Sequence, residues 1–201
     1  VAVGFLAGNA GELLQNGLKS LGIGTDFVWV AGETRTNVSI VTQSHDHYIK
    51  VNEKGPLVDT AKQQELLDKI DSLAKRGEWW VLAGSMPPGV AEDFYARVVN
   101  VLNKHGAQAV LDTTGESLRV GCGEKPFLVK PNAEEAHALT GLPMNTPAEI
   151  AAGAEAIRGV GAQNGGATGC FKRLLHRHFD SDGRVRPGLG GGRRRVALLR
   201  Q

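Results

Sequence analysis

Hydrophobic and polar positions change their spacing several times along this 201-residue chain, and each change marks an element. The opening run, "VAVGFLAG" over residues 1–8, is almost wholly apolar and stops at glycine, the pattern of a buried strand. In residues 9–22, Leu13, Leu14, Leu18 and Leu21 recur at helical spacing before a glycine stop. "FVWVAGETRTNVSIVTQ" and "HYIKV" alternate β-branched or aromatic residues with polar ones, which predicts a two- or three-stranded antiparallel patch. "NEKGP" then turns the chain. Residues 59–77 read as a helix, capped by Asp59 or Thr60, with Leu66, Leu67, Ile70 and Leu73 on one face.

From that point strands and helices alternate. "WWVLAG", "AQAVLDT" and "PFLVKP" are strands, and residues 92–105, 116–120 and 132–139 are helices. A last helix covers 147–159, with Thr146 as its cap and Pro147 in its first turn. Repeated units of this kind predict an α/β fold built on a mostly parallel sheet covered on both faces. The antiparallel patch does not fit that sheet and is placed as a small lid.

Size argues for one domain with room for a sizeable core. Aromatic residues are only 5% of the chain, so aliphatic side chains and alanine must fill most of it. The net charge of +2 hides an asymmetry: residues 1–164 carry a balance of −5, and residues 165–201 a balance of +7. Cys122 and Cys170 form no motif. No apolar run approaches a membrane span, so no membrane partner is expected. The start lacks the basic region and cleavage site of a signal peptide, and begins inside a strand without an initiator Met. The chain is therefore expected to be cytoplasmic and to lack its front.

Ligands of open α/β sheets bind outside the carboxyl ends of the strands. "LAGSMPPG", "VLDTTGES" and "VKPNAEEAH" occupy that position. Each has an ordinary structural use, since Gly-Ser and Pro-Pro form turns and Asp, Thr and Asn cap helices. Asn132 in particular can cap a helix whose first turn favours Glu134 and Glu135. Together they suggest more. Asn132 and Glu135 put an amide and a carboxylate at one strand end, where a hydrated Mg²⁺ can be held through water. Lys130 offers a point charge to a phosphate. These parts suit phosphoryl transfer, which relies on positioning and charge stabilisation.

"GETRTNVSIV", "LAGSMPPGV", "VLDTTGESL" and "LVKPNAEEAHALTG", in this order, resemble the PfkB group of ribokinase-like sugar kinases, on its phosphosugar branch. The resemblance covers residues 1–164. It implies a ribokinase-like three-layer sandwich, with a mostly parallel sheet and a small antiparallel β lid inserted at about 27–58, incomplete in this chain. It also implies ATP-dependent phosphorylation of a phosphosugar with Mg²⁺. Fructose 1-phosphate, giving fructose 1,6-bisphosphate, is the first substrate and tagatose 6-phosphate the alternative. Arg35 and Asn37 would reach from the lid to the substrate, and Ser85 would border the sugar. Lys130 would approach the nucleotide phosphates, with Asp112 in a supporting role. Asn132 and Glu135 would form the magnesium-associated motif, Glu134 facing solvent. Gly55 and Pro56 would be structural. Family members pair through lid strands, so Val28, Val30, Val38 and Ile40 are candidates for a homodimer contact.

The family pattern continues with an apolar strand, a hairpin region and a Gly-Ala-Gly-Asp motif, whose Asp takes the sugar hydroxyl proton. No such motif occurs in the 201 residues, and Asp180 and Asp182 lack the preceding glycines. No catalytic residue is assigned. The family's opening strand and Gly-Gly-Lys-Gly-type loop are missing too, so no turnover is expected from this polypeptide. Residues 165–201 instead hold 8 Arg and 8 Gly and show no sustained period. A reading-frame slip near Asn164 explains that change economically, and makes the tail non-native or disordered. The rival reading is a basic arm on a non-catalytic remnant, with "KRLLHRH" and "GGGRRR" contacting nucleic-acid phosphates. Against it stands the lack of aromatic interleaving beyond Phe171 and Phe179. His176 and His178 are too isolated for a metal site.

Overall fold

The computed structural model describes residues 1–41, 48–165 and 194–198. Its strands are β1 (Ala2–Val3), β2 (Phe5–Leu6), β3 (Val28–Trp29), β4 (Asn37–Val41), β5 (Tyr48–Asn52), β6 (Trp79–Ala83), β7 (Gln108–Asp112), β8 (Leu128–Val129), β9 (Asn164–Gly165) and β10 (Arg194–Leu198). Its helices are α1 (Gly8–Ser20), α2 (Thr60–Leu73), α3 (Phe94–Lys104), α4 (Gly115–Gly123), α5 (Ala133–Thr140) and α6 (Pro147–Val160). Six strands form an all-parallel sheet in the order β1-β10-β6-β7-β8-β9. A parallel pair, β2-β3, and an antiparallel hairpin, β4-β5, stand apart from it. The α/β class and the small antiparallel lid are thus as expected.

The continuous apolar run of β6 follows from its place between β10 and β7. Side chains alternate across a strand. Trp80 and Leu82 enter the main core with Leu111 of β7, Val129 of β8, Leu66 and Ile70 of α2, and Phe94 and Val98 of α3. Trp79 faces the other way and joins Val110 and Leu128 in a smaller cluster. It meets the edge of Phe127 with ring centroids 4.8 Å apart. Two of the helices begin at side-chain caps. Asp59 accepts from Lys62 N at 2.7 Å to start α2, and Thr146 with Glu149 forms a capping box on α6.

Several expectations need correction. Residues 2–7 are buried, but residues 1–8 are not one strand: the chain breaks at Gly4, sending β1 into the main sheet and β2 to pair with β3. β3 therefore belongs to a parallel pair, and the lid narrows to the two strands β4 and β5. Val28 is fully buried within its own chain, which removes it from any contact between copies. The leucine spacing of α1 marks a helix but not a buried face, since Leu13 and Leu21 stay 76% and 75% exposed. What packs is Gly11, where an added Cβ would lie 3.1 Å from Thr34 Oγ1 and 3.2 Å from Leu6 Cβ. α1 approaches β2 through the missing side chain of Gly11, and of its leucines Leu18 packs on the small cluster of Ala2, Leu6 and Phe27. Beyond Gly165 the Arg/Gly-rich tail is described at residues 194–198. Its residues 194–198 form β10, which fills the slot between β1 and β6 and pairs with both. Cys170, His176, His178, Asp180 and Asp182 lie outside the described residues.

Candidate active site

Parallel pairing aligns the carboxyl ends of β6, β7 and β8. Ala83 sits opposite Asp112, and Leu111 opposite Val129. Ser85, Asp112 and Lys130 therefore leave the sheet at one edge from three neighbouring strands. Lys130 and Asp112 touch, Nζ to Oδ1 at 3.0 Å, and both are partly exposed. The ion pair keeps the ammonium at the mouth of the β7-β8 edge while leaving it within reach of solvent and anions.

The lid root supplies the fourth group. Arg35 Nη2 donates to Ser85 Oγ at 2.8 Å, across 50 residues of sequence. Its Nε is buried without a hydrogen-bond partner among the described residues. An unsatisfied buried donor costs about 1–3 kcal/mol. Two neighbours fix its approach. Thr34 is buried and its Oγ1 accepts from Ala7 N at 2.8 Å. The Glu33 carboxylate accepts from Asn9 N at 3.2 Å and Ala10 N at 2.6 Å, in the first turn of α1. Gly8, at φ +58°, makes that approach possible, because a Cβ there would run into the Glu33 carboxylate. Asn37 opens β4 opposite Asn52 and is exposed. Gly55, at φ +70°, and Pro56, which packs against Gly32, hold the turn after the hairpin.

Asn132 and Glu135 are engaged with one another. Asn132 Oδ1 accepts from Glu135 N at 2.8 Å, and Glu135 Oε2 accepts from Asn132 N at 2.8 Å, a reciprocal capping box on α5. Glu134 is exposed. Glu135 borders a hollow of about 360 Å³ beside Gly115, Glu116 and Leu118. A larger hollow, about 520 Å³, lies between α2 and α3 around Asp68, Asp71 and Arg97, away from the strand ends. Among the described residues no three His, Cys, Asp or Glu side chains cluster as metal ligands. A carboxylate retains acceptor capacity beyond one hydrogen bond, so Glu135 fits a hydrated Mg²⁺ brought by a nucleotide.

Two residues of this region are not legible as site residues in the sequence. Tyr95 of α3 is fully buried, and its hydroxyl donates to Gly84 O at 3.0 Å. Burial, reinforced by the Asp112 carboxylate, pushes this phenol far above its ordinary range, so it remains an O–H donor. Thr113 Oγ1 donates to the same carbonyl at 3.1 Å. A tyrosine in an apolar helix and a threonine after a strand read simply as core and cap. Burial also pushes the Cys122 thiol up to about 11, which leaves it unreactive. No described helix is long and apolar enough to cross a membrane.

The strand ends carry a lysine–aspartate pair, and a small β lid brings an arginine to the neighbouring serine, in an α/β protein with a parallel sheet. Residues 1–165 match the pfkB family of carbohydrate kinases, and the chain belongs to that family. The match ends within one residue of the compositional break at Asn164. The chain is 34% identical over 134 residues to a 1-phosphofructokinase of Bacillus subtilis (strain 168), covering 67% of this chain and 43% of that protein. It is 30% identical over 137 residues to a tagatose-6-phosphate kinase of Staphylococcus epidermidis, covering 67% and 44%. The crystal structure of a possible 1-phosphofructokinase from Thermotoga maritima superposes with a TM-score of 0.69 at 28% identity, covering 80% of this chain and 52% of that one. The chain thus spans less than half the length of these two curated relatives.

Proposed function

We propose that residues 1–165 form the ligand-facing half of an ATP-dependent phosphosugar kinase acting on fructose 1-phosphate, with tagatose 6-phosphate as the alternative substrate. The observation that carries this reading is the Arg35–Ser85 contact with its unpartnered Arg35 Nε. A guanidinium fork suits a phosphate group, and a phosphosugar seated there supplies the acceptor that Nε lacks. The names of the two curated relatives support the substrate class.

In such a reaction a sugar hydroxyl attacks the γ-phosphorus of ATP, the bond to the β-phosphate oxygen breaks, ADP leaves, and a base takes the hydroxyl proton. Arg35 and Asn37 bind the substrate from the lid, and Ser85 borders the sugar. Lys130, released in part from Asp112, meets the nucleotide phosphates. Mg²⁺, when bound, offsets phosphate charge, and Asn132 and Glu135 are the residues that would hold it through water. The chain contains no Gly-Ala-Gly-Asp to supply the base, so ligand binding without turnover is expected.

Calorimetric titration of the full chain tests this. Fructose 1-phosphate or tagatose 6-phosphate should bind at least tenfold more tightly than fructose, with no ADP release in a coupled assay. Equal affinity for fructose and its phosphate would overturn the reading.

The lid supports a second proposal, that two copies pair through it. Val38 lies opposite Val51 and Ile40 opposite Ile49, an apolar quartet that is 48–63% exposed. Exposed contiguous apolar surface favours association. Ile40→Lys is expected to halve the mass measured by sedimentation at a concentration where the parent chain is a dimer. Equal masses for the two chains would remove the hairpin as the interface.

A further inference from the structure

Gly84 follows β6 directly and has φ +114°, a conformation open to glycine. Its carbonyl accepts two hydroxyl hydrogen bonds from different elements, Tyr95 Oη of α3 at 3.0 Å and Thr113 Oγ1 after β7 at 3.1 Å. Its own N–H donates to the Asp112 carbonyl at 3.3 Å. Tyr95 is fully buried and Thr113 nearly so. A carbonyl oxygen has two lone pairs, and here each has a donor. The peptide plane between Gly84 and Ser85 is therefore held from two sides. That plane sets the direction in which the Ser85 side chain leaves, and Ser85 Oγ is what Arg35 Nη2 meets at 2.8 Å.

We infer that Tyr95 and Thr113 are positioning residues for the phosphosugar subsite, acting together through the Gly84 carbonyl to hold Ser85 in place for Arg35. Neither hydroxyl reaches the ligand. The clamp itself is a property of the turn, and only its consequence for binding rests on the phosphosugar reading. Thr113 also follows Asp112, the partner of Lys130, so the clamp joins the sugar-facing end of β6 to the nucleotide-facing end of β7. Supporting shells of this kind decide whether a binding group is held tightly enough to act.

The test compares Tyr95→Phe, Thr113→Val and the double variant in the full chain. Gly84–Ser85 is the single Gly-Ser step in the sequence, so carbonyl-¹³C glycine combined with ¹⁵N serine isolates that peptide bond in one NMR correlation. Each single variant should move the Gly84 carbonyl signal upfield, and the double variant should move it furthest. One hydroxyl still orients the carbonyl, so fructose 1-phosphate affinity should fall about 2–5-fold in each single variant and at least tenfold in the double. ATP affinity should stay within about twofold, and Thr113→Ser, which retains the hydroxyl, should restore both readouts. A signal that does not move in the double variant overturns the clamp. A signal that moves while both ligands weaken alike shows that the hydroxyls act on the fold at large, and overturns the positioning role. A parent chain that binds no phosphosugar overturns the subsite assignment, while a moved signal still establishes the clamp on Ser85.

Discussion

Arg35→Ala is expected to weaken fructose 1-phosphate binding about 100-fold or more, with ATP affinity unchanged within about twofold. Hydrogen bonds to charged groups contribute roughly 1.5–3 kcal/mol each, and a guanidinium offers at least two to one phosphate. Loss of about 3 kcal/mol corresponds to somewhat over a hundredfold in affinity. Arg35→Lys should recover little, because an ammonium replaces the planar fork with a point charge. The ligand-free chain should not lose stability with the alanine variant. Arg35 Nε is already buried without a partner, so its removal relieves a desolvation cost of about 1–3 kcal/mol that offsets the lost bond to Ser85. Calorimetry with each ligand and a thermal melt of the apo chain measure the three effects. If Arg35→Ala bound the phosphosugar like the parent, the lid root would have no part in substrate recognition.

The largest stability effect is expected from Trp80→Ala. Trp80 is fully buried in the core shared by the sheet, α2 and α3. Truncating a buried aromatic of this size costs about 3–5 kcal/mol through lost transfer energy and the cavity left behind. Domains of this size have about 5–15 kcal/mol in total, and 1 kcal/mol shifts the melting temperature by roughly 2–4 °C. A fall of about 6–20 °C follows. Trp79→Ala, one residue away, should cost clearly less, because Trp79 faces the smaller cluster and rests chiefly on Phe127, Val110 and Leu128. Urea denaturation of the two variants separates the faces. Equal losses would contradict the division of β6 between two clusters of unequal size.

Much of the framework was legible because it depends on neighbours a few residues apart. Asp59, Asn132 and Thr146 each mark a helix start, since a short polar side chain reaches the amide three residues on. The strand ends at Ala83, Asp112 and Val129 followed from apolar runs ending in glycine or polar residues. Those same ends placed Ser85, Asp112 and Lys130 on one edge. The Asn132–Glu135 spacing was legible as a helix cap. The structure shows the cap.

The sequence by itself determined the alternation of strands and helices from residue 59 to 160, the side-chain caps at Asp59, Asn132 and Thr146, the parallel sheet and the shared edge of Ser85, Asp112 and Lys130. All of these follow from short-range periodicity and local hydrogen bonding. Only the tertiary structure decided that residues 194–198 enter the middle of the sheet, that residues 1–8 divide between two sheets, and that Leu13 and Leu21 stay exposed while Leu18 packs inward. It alone set Arg35 against Ser85 across 50 residues and closed Tyr95 and Thr113 on one carbonyl. Strand pairing and side-chain contacts between distant segments are chosen by which slot and which buried partner the whole chain makes available, and no local pattern encodes that choice.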